Sequence, residues 1–271
     1  KPNNNLLKFS HLSTKNGLSN SNVFGVTQDN QGYIWFATED GLNRFDGKNF
    51  VTYRHNANNK NSIADNIIRK IFIDNEQNLW VGTHNGLSRY NREMDNFDNF
   101  YNLASNENSL RDNVIWDIYQ NKNQLDTNGK NKSLLWISTT EGLHTLEIKS
   151  NSTTVNFKRI KVKGYNKITR EIKTIFQDKQ LNYWLGSFDN GIHLLSKSLT
   201  YLGSLTSQNK YDLIINAKAL FDMKTIDNNY WLATNNGLFT VDDRYQLISH
   251  LTANQTKNNT QTTLLSNSIR S

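Results

Sequence analysis

The sequence of 271 residues contains no cysteine and a single proline, Pro2. Without cysteine the chain has no disulfide bonds, no thiolate metal ligands and no cysteine nucleophile. No stretch approaches the roughly 20 consecutive apolar residues that a membrane-spanning helix requires. The first residues show no charged segment followed by an apolar one, so we expect that any signal peptide has been removed.

Hydrophobic residues are also scarce, at 36%, whereas aromatic residues reach 11%. This composition is typical of an all-β protein with small blocks of core and many polar loops. The net charge of +7 fits either an ordinary solvated basic surface or attraction to an anionic partner. The basic residues are scattered, apart from FKRIKVKGYNK at 157–167, so we expect no nucleic-acid binding by this domain.

Five tryptophans recur at near-constant spacing. They lie 45, 56, 48 and 47 residues apart, at Trp35, Trp80, Trp136, Trp184 and Trp231. Each stands in one local frame, which reads YIWFATEDGLNRF, NLWVGTHNGLSRY, LLWISTTEGLHTL, NYWLGSFDNGIHLL and NYWLATNNGLFTV. No stretch keeps the period of an amphipathic helix. Four short strands in each repeat of this length are typical of a β-propeller blade.

We therefore predict an all-β fold, a β-propeller of four-stranded blades, as one domain over residues 1–271. The five full blades are expected at approximately 18–62, 63–109, 110–165, 166–210 and 211–255. Residues 1–17 resemble a strand that completes another blade, and residues 264–271 resemble the start of a sixth repeat. These partial copies predict a fragment of a larger ring, with seven blades as the expected number. An insertion at 123–133 explains the longest spacing.

The repeated frame resembles the two-component regulator propeller repeats of bacterial sensor proteins. Three features carry the resemblance: an Asp-x-x-Gly turn, a strand of the Leu-Trp-Val-Gly-Thr type, and Gly-Leu before an aromatic residue. The first two copies match at Asp29–Gly32 with Ile34–Thr38, and at Leu79–Thr83 with Gly86-Leu87. The third and fifth keep the tryptophan-to-threonine segment, whereas the fourth has Ser187 in place of threonine.

This resemblance implies the periplasmic sensor region of an inner-membrane hybrid two-component sensor histidine kinase/response regulator. It implies that the domain recognises an oligosaccharide or another small ligand, and the positive charge suggests an acidic one. It further implies a membrane-anchored homodimer as the full-length protein, with no cofactor, and a diguanylate cyclase is the alternative output. No such output machinery is present in these 271 residues, so we expect the chain itself to be non-enzymatic.

A ligand site is expected where the innermost strands reach the channel mouth. Aligning these strands places two aromatic and three cationic residues at one equivalent position: Phe24, Arg69, Trp116, Lys173 and Lys218. Cations pair with carboxylates and aromatic faces stack on sugars, which favours an acidic oligosaccharide. Alternatively, these side chains pack between blades and extend their charges to water. Loops between second and third strands add further candidates: His84, Asn85, Phe188, Asp189 and Asn235.

Two enzymatic or metal-dependent readings remain as alternatives. A propeller glycosidase or lyase would need a carboxylate pair, for which the loop residues Glu39, Asp40, Glu141 and Asp189 are available. His144 and His193 invite a metal site, but both occupy the same repeat position, which favours a structural role. No metal site or catalytic residue is therefore predicted. A third alternative is a platform for protein binding or dimerisation.

Overall fold

The computed structural model describes residues 10–120, 134–147, 155–163, 171–206, 213–253 and 266. These residues form twenty β-strands and one short 3₁₀ helix at Thr14–Asn16. The features predicted at 1–9, 123–133 and 264–271, apart from Ser266, lie outside the described residues. Across the described ranges, no helix has the length and apolar character needed to cross a membrane.

The strands form five antiparallel sheets, each built from four strands that are consecutive in the chain. Blade 1 contains β1 (Val23–Gln28), β2 (Ile34–Thr38), β3 (Gly41–Phe45) and β4 (Phe50–Tyr53). Blade 2 contains β5 (Ile68–Ile73), β6 (Leu79–Thr83), β7 (Gly86–Asn91) and β8 (Asn96–Phe100). Blade 3 contains β9 (Ile115–Gln120), β10 (Leu134–Thr139), β11 (Gly142–Glu147) and β12 (Phe157–Arg159).

Blades 4 and 5 follow the same pattern. Blade 4 contains β13 (Ile172–Gln177), β14 (Tyr183–Ser187), β15 (Ile192–Leu195) and β16 (Tyr201–Ser204). Blade 5 contains β17 (Leu220–Ile226), β18 (Asn229–Thr234), β19 (Gly237–Val241) and β20 (Leu247–Leu251). The first strands of all five blades line one central channel. The predicted all-β propeller of four-stranded blades is confirmed.

A carboxylate joins the first hairpin of a blade to its tryptophan. In blade 2, Asp74 Oδ1 accepts hydrogen bonds from the backbone amides of Glu76 and Asn78, both at 2.9 Å. Its other oxygen accepts the indole N–H of Trp80 at 2.8 Å. Asp29 with Trp35, and Asp178 with Trp184, repeat this arrangement at 2.9 and 2.8 Å. The turn aspartate therefore recurs in blades 1, 2 and 4 because it satisfies both the turn and a buried indole. The fourth turn position, which has a positive φ, is glycine in blade 1 but Gln77 in blade 2 and Leu181 in blade 4.

A second repeated contact closes the loop between second and third strands. A hydroxyl at the end of the second strand donates to the carbonyl of the glycine that begins the third. The five pairs are Thr38–Gly41, Thr83–Gly86, Thr139–Gly142, Ser187–Gly191 and Thr234–Gly237, at 2.7 to 3.0 Å. Every one of these glycines has a positive φ, between +79° and +142°. Glycine recurs because other residues are strained in this region, and Ser187 preserves the contact because it too carries a hydroxyl.

Apolar side chains fill the junctions between successive blades. Four buried clusters occupy the junctions 1–2, 2–3, 3–4 and 4–5, and each contains a repeat tryptophan from the earlier blade. At the first junction, Trp35, Ala37 and Leu42 of blade 1 meet six apolar strand residues of blade 2. Those six residues are Ile68, Ile71, Leu79, Val81, Tyr90 and Phe97. The repeat is stable only in series, because each sheet needs a neighbour on each face.

The outer faces of blades 1 and 5 have no such neighbour among the described residues. The register makes Val26 of blade 1 equivalent to Ile71 of blade 2, yet Val26 is 57% exposed and Ile71 only 7%. The other equivalents in blade 1, Ile34, Phe36, Phe45 and Phe50, are all partly exposed. Trp231 of blade 5 is likewise partly exposed, whereas the four earlier tryptophans are buried. The two end blades therefore present complementary halves of an inter-blade junction.

Removal of the Asp74 carboxylate should destabilise the fold strongly. We expect Asp74→Ala to lower the free energy of unfolding by about 3 kcal/mol, because it leaves the Trp80 indole and the turn amides without a partner. Urea denaturation measures the change. Asp46→Ala is the matched control, since exposed Asp46 binds two turn amides but no indole, and it should cost less than about 1 kcal/mol. Equal losses in the two variants would contradict the role of the indole contact.

Candidate functional site

The central channel is a concave feature in the described part of the protein. Its volume is about 850 Å³, and residues from β1, β5, β9, β13 and β17 line it. Each of these strands has an irregular pairing with the second strand near its beginning. A bulge of this kind bends the strand and redirects a side chain. The same irregularity therefore directs one residue of each blade differently from its neighbours.

The register identifies that residue in every blade. At each bulge, one residue of the first strand has no partner on the second strand. These residues are Phe24, Arg69, Trp116, Lys173 and Phe221, and all five line the channel. Four of them are the residues predicted from the sequence alignment. The fifth is a correction: Phe221 takes the position that was assigned to Lys218. Lys218 precedes β17, lies exposed, and does not line the channel.

Three of the predicted residues meet at the mouth of the channel. The guanidinium carbon of Arg69 lies 4.5 Å from the ring centroid of Trp116, and the Lys173 ammonium also lies over this ring. The indole N–H of Trp116 points to the hydroxyl of Thr140 at 3.3 Å, which orients the ring. Cations are attracted to aromatic faces. Trp116 of blade 3 therefore contacts one cation from each of the two flanking blades, Arg69 of blade 2 and Lys173 of blade 4.

Burial and proximity change the charge state of this cluster. Burial, followed by the positive charge of Arg69, lowers the pKa of Lys173 to about 7, against the opposing effects of Glu171 and Asp189. Burial also lowers the pKa of Arg69, against the attraction of Glu39 and Asp65. The Arg69 Nε atom is buried and has no hydrogen-bond partner in the described structure. The mouth thus holds two cations whose charges are incompletely compensated.

The candidate loop residues fall into two groups. His84 and Phe188 adjoin the cluster: His84 Nδ1 lies 3.2 Å from Arg69 Nη2, and the Phe188 ring centroid lies 5.7 Å from Lys173 Nζ. Phe188 is 58% exposed. Asp189 acts on Lys173 through its charge. Asn85 and Asn235 instead form hydrogen bonds that hold neighbouring segments of the blades together. Asn85 accepts a hydrogen bond from Asn113, and Asn235 accepts one from the Ala219 amide.

Polar residues one position further along the inner strands were not among the predicted site residues. Lys70 Nζ lies 2.7 Å from Asp117 Oδ1, and Asp117 raises the pKa of Lys70. The other oxygen of Asp117 accepts the amide of Ile175 in blade 4 at 2.7 Å. Thr174 donates to the carbonyl of Phe221 in blade 5 at 2.9 Å. These residues link neighbouring inner strands, and the regular offset from the aligned column was a signal for them.

Two of the four loop carboxylates considered for a glycosidase pair, Glu39 and Asp40, have partners in the described structure. Asp40 forms two hydrogen bonds with the Arg54 guanidinium at 3.1 and 3.0 Å, which lower the pKa of Asp40. A general acid in such an enzyme needs the opposite shift. Glu39 accepts a hydrogen bond from Asn22 at 2.6 Å, a contact between the two ends of one hairpin. Both carboxylates are thus used locally on blade 1.

His144 and His193 occupy equivalent positions in the third strands of blades 3 and 4. Asn43, Ser88 and Phe239 hold the same position elsewhere, as the cross-strand pairing shows. His144 is 1% exposed, and neither ring nitrogen has a partner in the described structure. Burial, with Arg159 and Arg111 nearby, lowers the pKa of His144 to about 4. This residue is a neutral component of the packed sheet.

Comparisons with known proteins agree with this architecture. The sequence model of the two component regulator propeller family matches residues 17–40 and 62–85, in blades 1 and 2. A curated relative, Histidine kinase P4 of Formosa agariphila, is 43% identical over 56 residues. That alignment covers 21% of this chain and 4% of the kinase. The chain therefore carries two component regulator propeller repeats and spans a small part of this relative's length.

Solved structures with the same fold are more distant in sequence. The extracellular domain of a hybrid two component system from B. thetaiotaomicron aligns with a TM-score of 0.63 and 23% identity. The alignment covers 96% of this chain and 38% of that domain. PorZ of Porphyromonas gingivalis, described as a surface component of the type-IX secretion system, aligns with a TM-score of 0.58 and 18% identity. That alignment covers 91% of this chain and 35% of PorZ.

His144 should make the fold sensitive to acid. Because its pKa is lower in the folded protein than the usual 6.5, the unfolded chain binds a proton first. The contribution to stability is therefore complete above pH 6.5 and decreases by about 1.4 kcal/mol per pH unit towards pH 4. We expect His144→Phe, which copies Phe239 of blade 5, to reduce this loss.

Urea denaturation at a series of pH values measures the effect. His11→Phe, at an exposed position, is the control and should leave the pH dependence unchanged. If His144→Phe retains the full wild-type loss between pH 6.5 and pH 4, the buried neutral histidine is not its source.

Proposed function

Since this chain is built from two component regulator propeller repeats, we propose that it is the extracytoplasmic sensing domain of a bacterial two-component signalling protein. Its location is the periplasm, as part of a membrane-anchored protein that acts as a homodimer. Its ligand is an oligosaccharide, and binding controls a cytoplasmic histidine kinase. The chain itself catalyses no reaction.

The observation that carries this proposal is the convergence of Arg69, Trp116 and Lys173 at the channel mouth. Three blades contribute one residue each, so the cluster exists only in the assembled propeller. Exposed Phe24 and Phe188 offer aromatic faces beside it. A concave site with aromatic walls and a few polar groups suits a sugar ligand. The free cations favour a ligand with acidic groups.

Signal transmission requires more than binding. A ligand shifts a protein between two arrangements only if its affinity for them differs. The mouth is formed by neighbouring blades, so a ligand that contacts Arg69 and Lys173 is sensitive to their relative position. The kinase would then respond to changes in the propeller or in its contact with a second protomer.

The proposal includes a ring of more than five blades, with seven as the expected number. Its support is the unpartnered junction on blades 1 and 5, where Val26 and Trp231 are more exposed than their equivalents. Further repeats of the same type would bury these faces. A second protomer is the competing occupant, because an exposed apolar face also suits dimerisation.

A thermal-shift screen tests the proposed ligand class. Neutral and acidic oligosaccharides are added to the chain at two salt concentrations, and a ligand of the native state raises its melting temperature. We expect acidic oligosaccharides to give the larger shift, and high salt to reduce it, because the exposed charges of the ligand are screened.

Variants locate the binding. Arg69→Ala should abolish the shift, whereas Arg244→Ala, in the exposed turn before β20, should retain it. Lys218→Ala should also retain it, since Lys218 does not line the channel. A shift that survives Arg69→Ala would move the site away from the mouth. Absence of a shift with every oligosaccharide would contradict the proposed ligand class.

A further inference from the structure

Two cations share one aromatic ring at the channel mouth, and this arrangement is unfavourable without a ligand. Arg69 and Lys173 both lie over Trp116, although they come from different blades. Like charges repel each other, and Arg69 acts on Lys173 in this direction. Their proximity is imposed by the scaffold, because each residue occupies the bulged position of its strand.

The surroundings compensate these charges only from a distance. Glu39 and Asp65 act on Arg69, whereas Glu171 and Asp189 act on Lys173. Within the described residues, no carboxylate lies within 4 Å of either cation, in contrast to Arg54 with Asp40. His84 contacts Arg69 through a ring nitrogen, and Phe188 adjoins Lys173. The positive charge of the cluster is therefore not neutralised by a direct ion pair within the described residues.

A second observation also indicates a missing acceptor. The Nε atom of Arg69 is buried, and it has no hydrogen-bond partner in the described structure. A buried donor without an acceptor is costly. A carboxylate or sulfate can accept hydrogen bonds from a guanidinium with two oxygens at once. Because protein atoms cover Nε in the ligand-free protein, an acceptor reaches it only after the side chains over it move.

We propose that Arg69 and Lys173 together bind one anionic substituent of the oligosaccharide, and that a neutral Lys173 amine takes up a proton from solvent when this group binds. This inference rests on the proposed function, which locates the ligand at the channel mouth. The anionic group is a carboxylate or a sulfate, and it lies between the amine and the guanidinium. The adjacent sugar ring packs against exposed Phe188 or Phe24.

The number of protons that Lys173 gains on binding depends on its pKa in the free protein. With a pKa of about 7, Lys173 is neutral in about half of the free molecules at pH 7. An anion beside the amine favours the ammonium form. The neutral amine therefore takes a proton from bulk water, and the resulting ammonium forms an ion pair with the bound anion. Binding therefore weakens as the pH rises above 7. We expect the association constant to fall about tenfold between pH 6 and pH 8.

Three matched probes distinguish the source of the negative charge: glucuronate, glucose 6-sulfate and glucose. The ¹³Cε resonance of Lys173 reports its protonation in protein that carries labelled lysine, and the resonance is assigned by its absence in Lys173→Arg. We expect glucuronate, glucose 6-sulfate or both to raise the midpoint of Lys173 by at least about one pH unit. Glucose should leave the midpoint unchanged.

Substitution of the amine provides a second readout. Lys173→Arg retains a positive charge at every pH tested, so it should bind the anionic probe with a constant that no longer changes between pH 6 and pH 8. Lys48→Arg, in the exposed turn before β4, is the matched control and should keep the wild-type pH dependence. His84→Gln removes the imidazole that contacts Arg69. Loss of the pH dependence in this variant would assign the effect to His84 and overturn the inference.

The outcomes separate this inference from the proposed function. If neutral oligosaccharides bind and Arg69→Ala abolishes their binding, but neither anionic probe moves the Lys173 midpoint, the proposed function stands and the inference is wrong. Anion binding with an unchanged constant between pH 6 and pH 8 would also overturn it. If no sugar of any kind binds at the mouth, both are wrong.

Discussion

The hydrogen bond between a turn aspartate and a buried tryptophan is the constraint on which the rest of the structure depends. Asp74 satisfies the backbone of its turn with one oxygen and the Trp80 indole with the other. The turn therefore fixes the position of the second strand, and the indole fixes the distance between this strand and the sheet of the next blade. Because the tryptophan packs into the following blade, a local turn determines a long-range junction. Repeated contacts of this type let a polar chain with 36% hydrophobic residues assemble several small cores.

The rigid inner strands also explain why unfavourable chemistry persists at the channel mouth. The same bulge occurs in all five blades and presents a different residue each time. The backbone irregularity is the same in every blade, whereas the residue type at the bulged position differs from blade to blade. In blades 2, 3 and 4 it carries Arg69, Trp116 and Lys173. Packing cannot relax their repulsion, because neighbouring strands are linked by contacts such as the Lys70–Asp117 ion pair. Residues that fulfil a function often store strain of this kind.

Much of the fold was predictable from the sequence, since its signals are periodic. The tryptophan spacing, the Asp-x-x-Gly turn and the threonine before Gly-Leu each report a contact that recurs in the structure. The site was predictable only in part. Four of the five channel-mouth positions were found, but Phe221 was missed. The first hairpin of blade 5 has only Asp227 and Asn228 between β17 and β18, which is shorter than in blades 1, 2 and 4, and the alignment slipped to Lys218. The stacking of two cations on Trp116 was also beyond reach, because it depends on side-chain direction rather than on register. The offset of one residue from the aligned column indicated where Lys70 and Asp117 lie, but no local pattern indicated that they pair, because they come from different blades.

The central claim is that the channel mouth binds the ligand. Hydrogen–deuterium exchange of the chain, with and without the oligosaccharide that gives the largest thermal shift, tests it most directly. The account predicts slower exchange at the starts of β5, β9 and β13 and in the loops that carry His84 and Phe188. Exchange in turns at the opposite ends of the blades, such as the Asp46 turn between β3 and β4 of blade 1, should stay unchanged. Protection confined to the exposed faces of blades 1 and 5, with none at the mouth, would contradict the claim.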